Sequence, residues 1–464
     1  MSETTSRTYL ERYAEREARL SFRLDTCFDH VVVVPAYDED SSLLDGLETA
    51  CGEHAGKALI VLVVNCAEDA EGDAALRTAE LVANLRAQAS SEEQKSKVPP
   101  IYLLRIRSLW VLLVDRASPA FQLPPKEGVG LARRIGCDIA LRLGAEGFIR
   151  SPWIASTDAD ALLPTDYFDT LTAQLPTASA ILFPFAHTPP ATDATESSGK
   201  SPEAIFQATL LLECSLRYLV LGLHSAGSPY AFHTIGSTLS ISRRTYAEVR
   251  GFPRLLAGED FHILNKLAKV GPIRRVASTP IRIRSRISER TPFGTGKSVF
   301  SLLNSDAEVP AASRQPRAFY HPTVFAALRL WHGLLADLAL RPEANAWEQA
   351  EPHGVPAHLV GALSALWNDK SLRSQLENAL RQRKTPEQRL SHVFTQFDAL
   401  SGVQLIRRLN EACPPLEWQE ALRLAPFIEP GLGSRSLADW AEQLRSQEAQ
   451  LPREIGPTCF RQMS

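Results

Sequence analysis

The chain has 464 residues, of which 44% are hydrophobic, and this is enough to build two or three buried cores. Its formal net charge is only −3, which gives no reason to propose nucleic acid as a partner. Its seven cysteines are scattered and form no Cys-x-x-Cys pair, a pattern that favours a reducing cytoplasmic location over a disulfide framework or a zinc site.

Residues 1–29 are predicted to form an N-terminal helical extension, and their polar, charged character is not that of a signal peptide. A β-branched strand begins at residue 30, a helix begins at 41–44, and further strands are predicted at 58–65 and 101–114, the last with a break at 105–108. This alternation predicts an α/β fold with a mostly parallel sheet flanked by helices. Ligands of such sheets bind at the carboxyl ends of the strands.

Asp158 and Asp160 follow a short apolar segment, 151–157, that is predicted to be a buried strand. Two carboxylates one residue apart at a strand end can bind one hard cation, which takes its remaining ligands from water and substrate phosphates. The pattern therefore indicates a metal-diphosphate site for Mg²⁺ or Mn²⁺. The alternative is a pair of solvated carboxylates on a turn.

A second acidic pair, Glu259 and Asp260, begins an amphipathic helix that is predicted to end at Gly271. Gly258 before it permits a tight backbone turn. An ionised carboxylate at this place can accept a proton from an attacking hydroxyl, so the pair is a candidate catalytic group. The alternative is two acids that only stabilise the start of the helix.

Five segments resemble, in content and order, the motifs of family 2 glycosyltransferases of the GT-A fold. The resemblance covers residues 30 to about 300, and the order is more specific than any single motif. The segments are Val31–Glu39, Gly128–Gly136, Thr157–Asp160, Gly236–Arg243 and Gly258–Phe261.

The resemblance implies a metal-dependent, inverting transferase that moves a sugar from a nucleotide-diphospho-sugar, either a UDP- or a GDP-sugar, to an acceptor hydroxyl that the sequence does not identify. It implies that Asp158 and Asp160 bind metal and diphosphate and that Asp260, with Glu259 beside it, is the catalytic base. The residues implied to bind the nucleotide sugar are Pro35, Tyr37, Glu39, Asn65 and Arg133.

Two residues depart from the family pattern. Asp38 stands where the family usually has Asn, and Asn65 stands where it often has Asp, so the nucleotide is less certain than the chemistry. The chain also lacks the Gln-x-x-Arg-Trp box and the membrane helices of polysaccharide-making relatives. Transfer of a single sugar is therefore favoured over processive synthesis.

Residues 283–296 are rich in arginine and glycine. Arg286 and Arg290 are candidates to clamp diphosphate oxygens with their planar guanidinium groups. A solvated basic strand followed by a turn is an equally good interpretation of the same residues.

The apolar stretch 204–223 approaches the length of a membrane span, but Glu213 and Arg217 lie near its middle. Charges are costly in lipid, so we expect a buried helix and no membrane span, while peripheral contact with a membrane stays open. Two polar segments, 87–97 and 188–201, are predicted to be mobile.

The predicted GT-A-like domain covers residues 30–305, and residues 306–464 are predicted to form a C-terminal helical domain. Capping signals at Thr385 and Ser436 support helices there. Two other functions remain alternatives to the transferase. One is a non-catalytic protein that binds sugar nucleotides or serves as a scaffold, and the other is a nucleotidyltransferase.

Overall fold

The computed structural model describes residues 2–20, 23–190, 199–287, 294–304, 318–341, 347–348, 352–381, 383, 385–430 and 436–462. Arg290 and part of the predicted loop 188–201 lie outside these residues. Two compact units are present: unit 1 comprises residues 1–194 and 234–297, and unit 2 comprises residues 195–233 and 298–464. The predicted boundaries at 29/30 and 305/306 stay a prediction. Contacts between residues group the N-terminal segment with unit 1 and residues 195–233 with unit 2.

The elements follow one another along the chain in this order: α1 (Ser2–Arg12), α2 (Arg16–Arg19), β1 (His30–Ala36), α3 (Leu43–Cys51), β2 (Ala58–Asn65), α4 (Asp73–Ala87), β3 (Ser91–Lys97), β4 (Pro100–Ile106), β5 (Leu109–Arg116), α5 (Gly128–Ala145), β6 (Trp153–Ser156), β7 (Ala161–Leu162), α6 (Tyr167–Thr172), β8 (Ala180–Leu182), β9 (Phe185–Thr188), α7 (Pro202–Ser225), β10 (Leu239–Ser242), α8 (Arg243–Glu248), α9 (Glu259–Val270), β11 (Ile273–Arg275), β12 (Ile281–Arg284) and α10 (Thr295–Leu303). The chain then continues with β13 (Ala318–Phe319), α11 (Pro322–Leu340), α12 (Ala357–Trp367), α13 (Lys370–Arg381), α14 (Pro386–Gln396), α15 (Ala399–Ala412), β14 (Leu416–Glu417), α16 (Trp418–Leu424), α17 (Leu437–Ala449) and β15 (Glu454–Ile455).

The main sheet of unit 1 has the strand order β11-β8-β10-β6-β1-β2-β5-β4-β3. Its centre is parallel, because β1 pairs in parallel with both β2 and β6, and β2 pairs in parallel with β5. Strands β1 and β2 are buried along their whole length, as expected for a sheet covered on both faces. The predicted α/β class, with a parallel sheet and flanking helices, is confirmed, and antiparallel strands complete the sheet on either side.

Helix α5 packs closely on the sheet because a glycine faces the strands. A Cβ atom at Gly136 would lie 2.4 Å from Cγ1 of Val33, a distance that real contacts essentially never show. The glycine therefore lets the helix backbone approach β1 and β2, and this closeness brings the side chains of α5 to the carboxyl ends of the strands.

The predicted third strand is in fact a hairpin, with β4 and β5 antiparallel and a turn at 107–108. The segment 87–97, predicted to be mobile, contains the end of α4 and the edge strand β3. The segment is therefore not an irregular loop, because β3 carries polar, exposed side chains and pairs with β4 through its backbone, which composition does not reveal; its mobility stays a prediction. An edge strand rich in charge is protected against pairing with other chains.

The N-terminal segment is tied to unit 1 through one buried carboxylate, Asp138 of α5. The hydroxyls of Tyr9 and Tyr246 donate to its Oδ1, each at 2.7 Å, and the backbone N–H of Glu15 donates to its Oδ2 at 2.8 Å. Buried polar groups need such partners. The segment predicted as an extension therefore packs as part of unit 1.

Unit 2 is built mainly from helices, as predicted for the C-terminal region, and its core includes Trp331, Leu363 and Phe394. The side chain of Thr385 caps α14, and Ser436 and Asp439 form a capping box at the start of α17. The predicted pair within α7 is present and buried, with Arg217 Nε 2.9 Å from Glu213 Oε1.

Among the described residues, two helices, α7 and α11, have the length and composition of membrane spans. In α7, 67% of the apolar window is buried inside the protein, and in α11 the share is 50%. A core helix passes the same test of length and composition. The expectation of no membrane span therefore stays a prediction.

Candidate active site

The predicted metal motif lies at the carboxyl end of β6, beside the end of β1. The backbone N–H of Thr157 donates to Val33 at 3.0 Å, which extends the pairing of the two strands. Asp158 and Asp160 follow directly, with side chains that are 35% and 16% exposed. The two carboxylates are thus held at the strand end, where ligands of parallel sheets bind.

Arg133 of α5 joins this motif to the second acidic pair. Its Nη2 donates to Asp158, and its Nε donates to Oε1 of Glu259 at 2.8 Å. Its Nη1 donates to Oγ of Ser156 at 2.6 Å and to the carbonyl of Gly236 at 3.3 Å. The side chain is 3% exposed. Burial alone would lower the pKa of Arg133, but the neighbouring carboxylates outweigh burial and raise it.

Glycines in two of the resembling motifs make room for this arrangement. A Cβ at Gly236 would lie 2.4 Å from Nη2 of Arg133. A Cβ at Gly130 would lie 2.5 Å from the carbonyl oxygen of Leu255, which already accepts a hydrogen bond from the Gly130 N–H at 3.0 Å. Close backbone approach is the reason for glycine at both positions.

We expect Gly130→Ala to lower the free energy of unfolding by about 1–3 kcal/mol, because the new methyl group meets rigid backbone that has to shift. It should also weaken nucleotide binding, since the displaced loop leads into Glu259. Gly56→Ala is the matched control, because a Cβ there meets nothing within 4 Å. Urea unfolding of both variants tests the expectation, and equal stabilities would contradict it.

Glu259 and Asp260 start α9, as predicted, and Gly258 before them has a left-handed φ of 77°. Glu259 is buried against Arg133, whereas Asp260 is partly exposed and its Oδ1 accepts the backbone N–H of Phe261 at 2.7 Å. Desolvation, followed by the charge of Glu259, raises the pKa of Asp260 to about 7. The two acids therefore have different surroundings, and the raised pKa of the more exposed one, Asp260, suits proton exchange near neutral pH.

Arg286 connects the predicted metal motif to the predicted nucleotide-binding turn. Its Nε lies 2.8 Å from Oδ2 of Asp160, and its Nη1 lies 2.8 Å from Oε1 of Glu39. By contrast, Arg282 and Arg284 are exposed, as a solvated basic strand would have them. Arg286, which lies beyond the end of β12, thus differs from the two arginines of that strand, and its predicted role as a diphosphate clamp stays a prediction.

The predicted nucleotide-binding residues come together at the ends of β1 and β2. Pro35 is buried within β1, and Tyr37 and Glu39 follow it. Asn65 ends β2, and its Nδ2 donates to the carbonyls of Ala36 at 3.0 Å and Val63 at 3.2 Å. Both amide hydrogens are used there, so the group that the side chain can still offer is its oxygen, an acceptor.

The donor set at this edge allows a test of the predicted cation. Within the described residues, no group of three or more His, Cys, Asp or Glu side chains could hold a metal ion. Asp158 and Asp160 can supply two hard oxygen ligands, and each also contacts an arginine. This set fits Mg²⁺ or Mn²⁺ only as an ion that keeps waters and takes phosphate oxygens from a substrate.

No protein-family model and no curated protein matches the chain. Solved structures do match it. S. aureus TarS 1–349 in complex with UDP-GlcNAc is 14% identical, with a TM-score of 0.36 over 83% of this chain and 91% of that one. The mannosyltransferase PcManGT from Pyrobaculum calidifontis, in complex with GDP-Man and Mn²⁺, is 17% identical, with a TM-score of 0.33 over 87% of this chain and 99% of that one. Sequence identities and TM-scores this low do not assign an activity to the chain. Any assignment has to be argued from the chain's own residues.

Proposed function

We propose that the chain is an inverting glycosyltransferase that moves one sugar from a UDP- or GDP-sugar to an acceptor hydroxyl. The observation that carries this proposal is the position of Arg133, which contacts both Asp158 and Glu259. One buried guanidinium therefore contacts both the carboxylate motif proposed to bind diphosphate and the acidic pair that contains the proposed base, Asp260. Transfer between two substrates requires these two functions to lie side by side.

The nucleotide would lie at the ends of β1 and β2. The free acceptor oxygen of Asn65 suits an N–H group on a base edge, which both uracil and guanine present. Tyr37 and Glu39 border the same turn, and Arg286 adds a planar cation that suits diphosphate oxygens. These contacts would position the sugar's anomeric carbon and its leaving group.

Asp260 would act on the acceptor. Its carboxylate would accept the proton of the attacking hydroxyl while that oxygen bonds the anomeric carbon on the face opposite the diphosphate, which inverts the configuration. Glu259 would hold Arg133 in place without meeting the acceptor. The unequal surroundings of the two acids support this division of roles.

A divalent cation, Mg²⁺ or Mn²⁺, would be held by Asp158 and Asp160, and when bound it would supply positive charge to the departing diphosphate. Two arginines would hold the two carboxylates, and with them the cation, in a fixed position relative to the sugar. Arg133 fixes the direction of Asp158, and Arg286 faces Asp160.

The direct test is incubation with a panel of nucleotide sugars and simple acceptors in the presence of Mn²⁺, with nucleoside diphosphate release as the readout. A transferase releases nucleoside diphosphate in an acceptor-dependent way. Release of pyrophosphate from a nucleoside triphosphate and a sugar phosphate would instead identify a nucleotidyltransferase. Tight binding of nucleotide sugars without any release would identify a binding protein.

Asp160→Asn should weaken the Mn²⁺-dependent part of nucleoside diphosphate binding by about tenfold or more, because the amide removes one anionic ligand. Calorimetry with and without Mn²⁺ measures this part separately. Asp169→Asn is the control, since its carboxylate is 74% exposed and contacts only His54 among the described residues. Unchanged metal dependence in Asp160→Asn would remove Asp160 from the metal site.

The pH dependence of kcat/KM should report Asp260 in the free enzyme. The base acts only when it is ionised, and its pKa is raised to about 7. The rate should therefore be level above pH 7 and fall about tenfold per pH unit below it. A profile that stayed level down to pH 5 would contradict the raised pKa of Asp260 in the free enzyme.

A further inference from the structure

A second polar cavity lies in unit 1, between the N-terminal segment, the end of β5 and helix α5. Its volume is about 300 Å³, the lower end of the range for small-molecule sites. Leu131 and Ile135 of α5 form an apolar wall. The charged residues that line it are Arg16, Arg19, Arg116, Arg254, Glu15 and Glu17. None of them belongs to the cluster around Arg133.

Arg116 is the central group of this cavity. Its side chain is 9% exposed, and its Nε and Nη1 are buried without a hydrogen-bond partner among the residues that the structure describes. Nη2 donates to the carbonyl of Gln122 over a long 3.4 Å. The nearest carboxylate oxygen, on Glu17, is 3.5 Å from Nη1, too far for a hydrogen bond of ordinary geometry. A buried guanidinium with open donors needs an acceptor.

Arginines outnumber glutamates among the residues that line this cavity. Arg254 is bound to Glu15 through two contacts, of 3.0 and 2.7 Å. Arg16 and Arg116 share Glu17, at 3.7 and 3.5 Å, and Arg19 has no ion pair among the described residues. Four arginines and two glutamates thus line the cavity, while just outside it Glu15 also pairs with Arg134 at 2.7 Å and Arg254 contacts Glu127 at 3.8 Å.

Burial acts against both members of the central pair. It lowers the pKa of Arg116 and raises the pKa of Glu17, and in each case the partner's opposite charge only partly compensates. A buried charge is costly unless it is hydrogen-bonded as well as paired. An anion with several oxygen acceptors would satisfy the open donors of Arg116.

We propose that this cavity binds a phosphate group, either free or as the monoester of a small molecule. Its several oxygens can accept from the open Nε and Nη1 of Arg116, and its negative charge is opposite to that of the guanidinium. Arg19 and Arg16, exposed on α2, lie at the rim and can approach the same group. The site is separate from the proposed donor site and does not depend on the transferase activity.

Calorimetry with inorganic phosphate and with a hexose 6-phosphate tests the proposal on the full chain. Arg116→Gln should weaken binding by about 10- to 100-fold, the loss expected for hydrogen bonds to a charged group. Arg150→Gln, which removes an exposed arginine paired with Asp29, should bind as the unmodified protein does. The tighter of the two ligands distinguishes free phosphate from an ester.

Two further variants keep the test decisive if Arg116→Gln does not fold. Arg19→Gln changes an exposed side chain and should still weaken phosphate binding severalfold. Glu17→Gln should strengthen it, because Arg116 loses its competing carboxylate. Asp160→Asn should leave phosphate binding intact. Absence of phosphate binding, unchanged affinity in both arginine variants at the cavity, or loss of binding in Asp160→Asn would each overturn the proposal.

Discussion

Replacement of Asp260 by asparagine is expected to lower turnover by about 10²- to 10⁴-fold while donor binding stays nearly unchanged. Asparagine keeps the shape of the side chain but cannot take the acceptor's proton. Because Asp260 is partly exposed and its Oδ1 accepts only the Phe261 N–H in the described structure, the loss of its charge should disturb the fold little. Single-turnover transfer and calorimetry with nucleoside diphosphate measure the two effects separately.

Asp73→Asn is the matched control, since Asp73 is also an acid in the first turn of a helix but is exposed on α4. Its turnover should equal that of the unmodified protein. If Asp260→Asn kept full turnover in a working assay, the base would lie elsewhere. If it lost donor binding as well, Asp260 would belong to the donor site.

Replacement of Arg133 by methionine should cost about 3–5 kcal/mol of stability, the usual loss when one partner of a buried ion pair is removed. Glu259 would be left buried without its cation, and Asp158 would lose the contact that fixes its direction. Nucleotide binding should fall together with stability. Arg142→Met, on the same helix but 36% exposed and paired with Glu146, should change stability by less than about 0.5 kcal/mol.

Arg133→Lys separates charge from geometry if the methionine variant does not fold. Lysine keeps the positive charge but cannot reach Asp158, Glu259 and Ser156 at once, because it lacks the planar fork. The stability of Arg133→Lys should lie between that of the unmodified protein and that of Arg133→Met. Its nucleotide affinity should resemble that of Arg133→Met. Full nucleotide affinity in Arg133→Lys would show that Arg133 contributes only its positive charge and not the geometry of its guanidinium group.

Local signals in the sequence predicted the elements near the site well. The bounds of β2 at 58–65 are those predicted, and α9 begins at Glu259 and is followed by Gly271, as expected. These limits depend on residues that are neighbours in the chain: a β-branched run in the first case, and glycines with first-turn acids in the second. The strand-end positions of Asn65 and Asp158 followed from the same patterns.

The partners of individual side chains were beyond such signals. The motif that contains Arg133 predicted that this residue binds the donor. In the structure it contacts Asp158 and Glu259, which lie 25 and 126 positions away in the chain. The sequence suggested that Glu259 is a helix-stabilising acid beside the base. Only the fold reveals that it contacts Arg133. Edge strand β3 escaped prediction for a related reason, since backbone pairing with β4 determines it while its side chains remain in solvent.

The contacts of Arg133 also determine what natural variation at this site can mean. Because Asp158 and Glu259 are counter-ions of a buried arginine, selection for a folded protein alone is enough to retain them, even in a descendant that has lost all activity. Asp260 carries no such structural duty. If Asp260 is the base proposed above, a change at Asp260 beside an intact Arg133, Asp158 and Glu259 would therefore mark a related sequence that kept the architecture and lost catalysis.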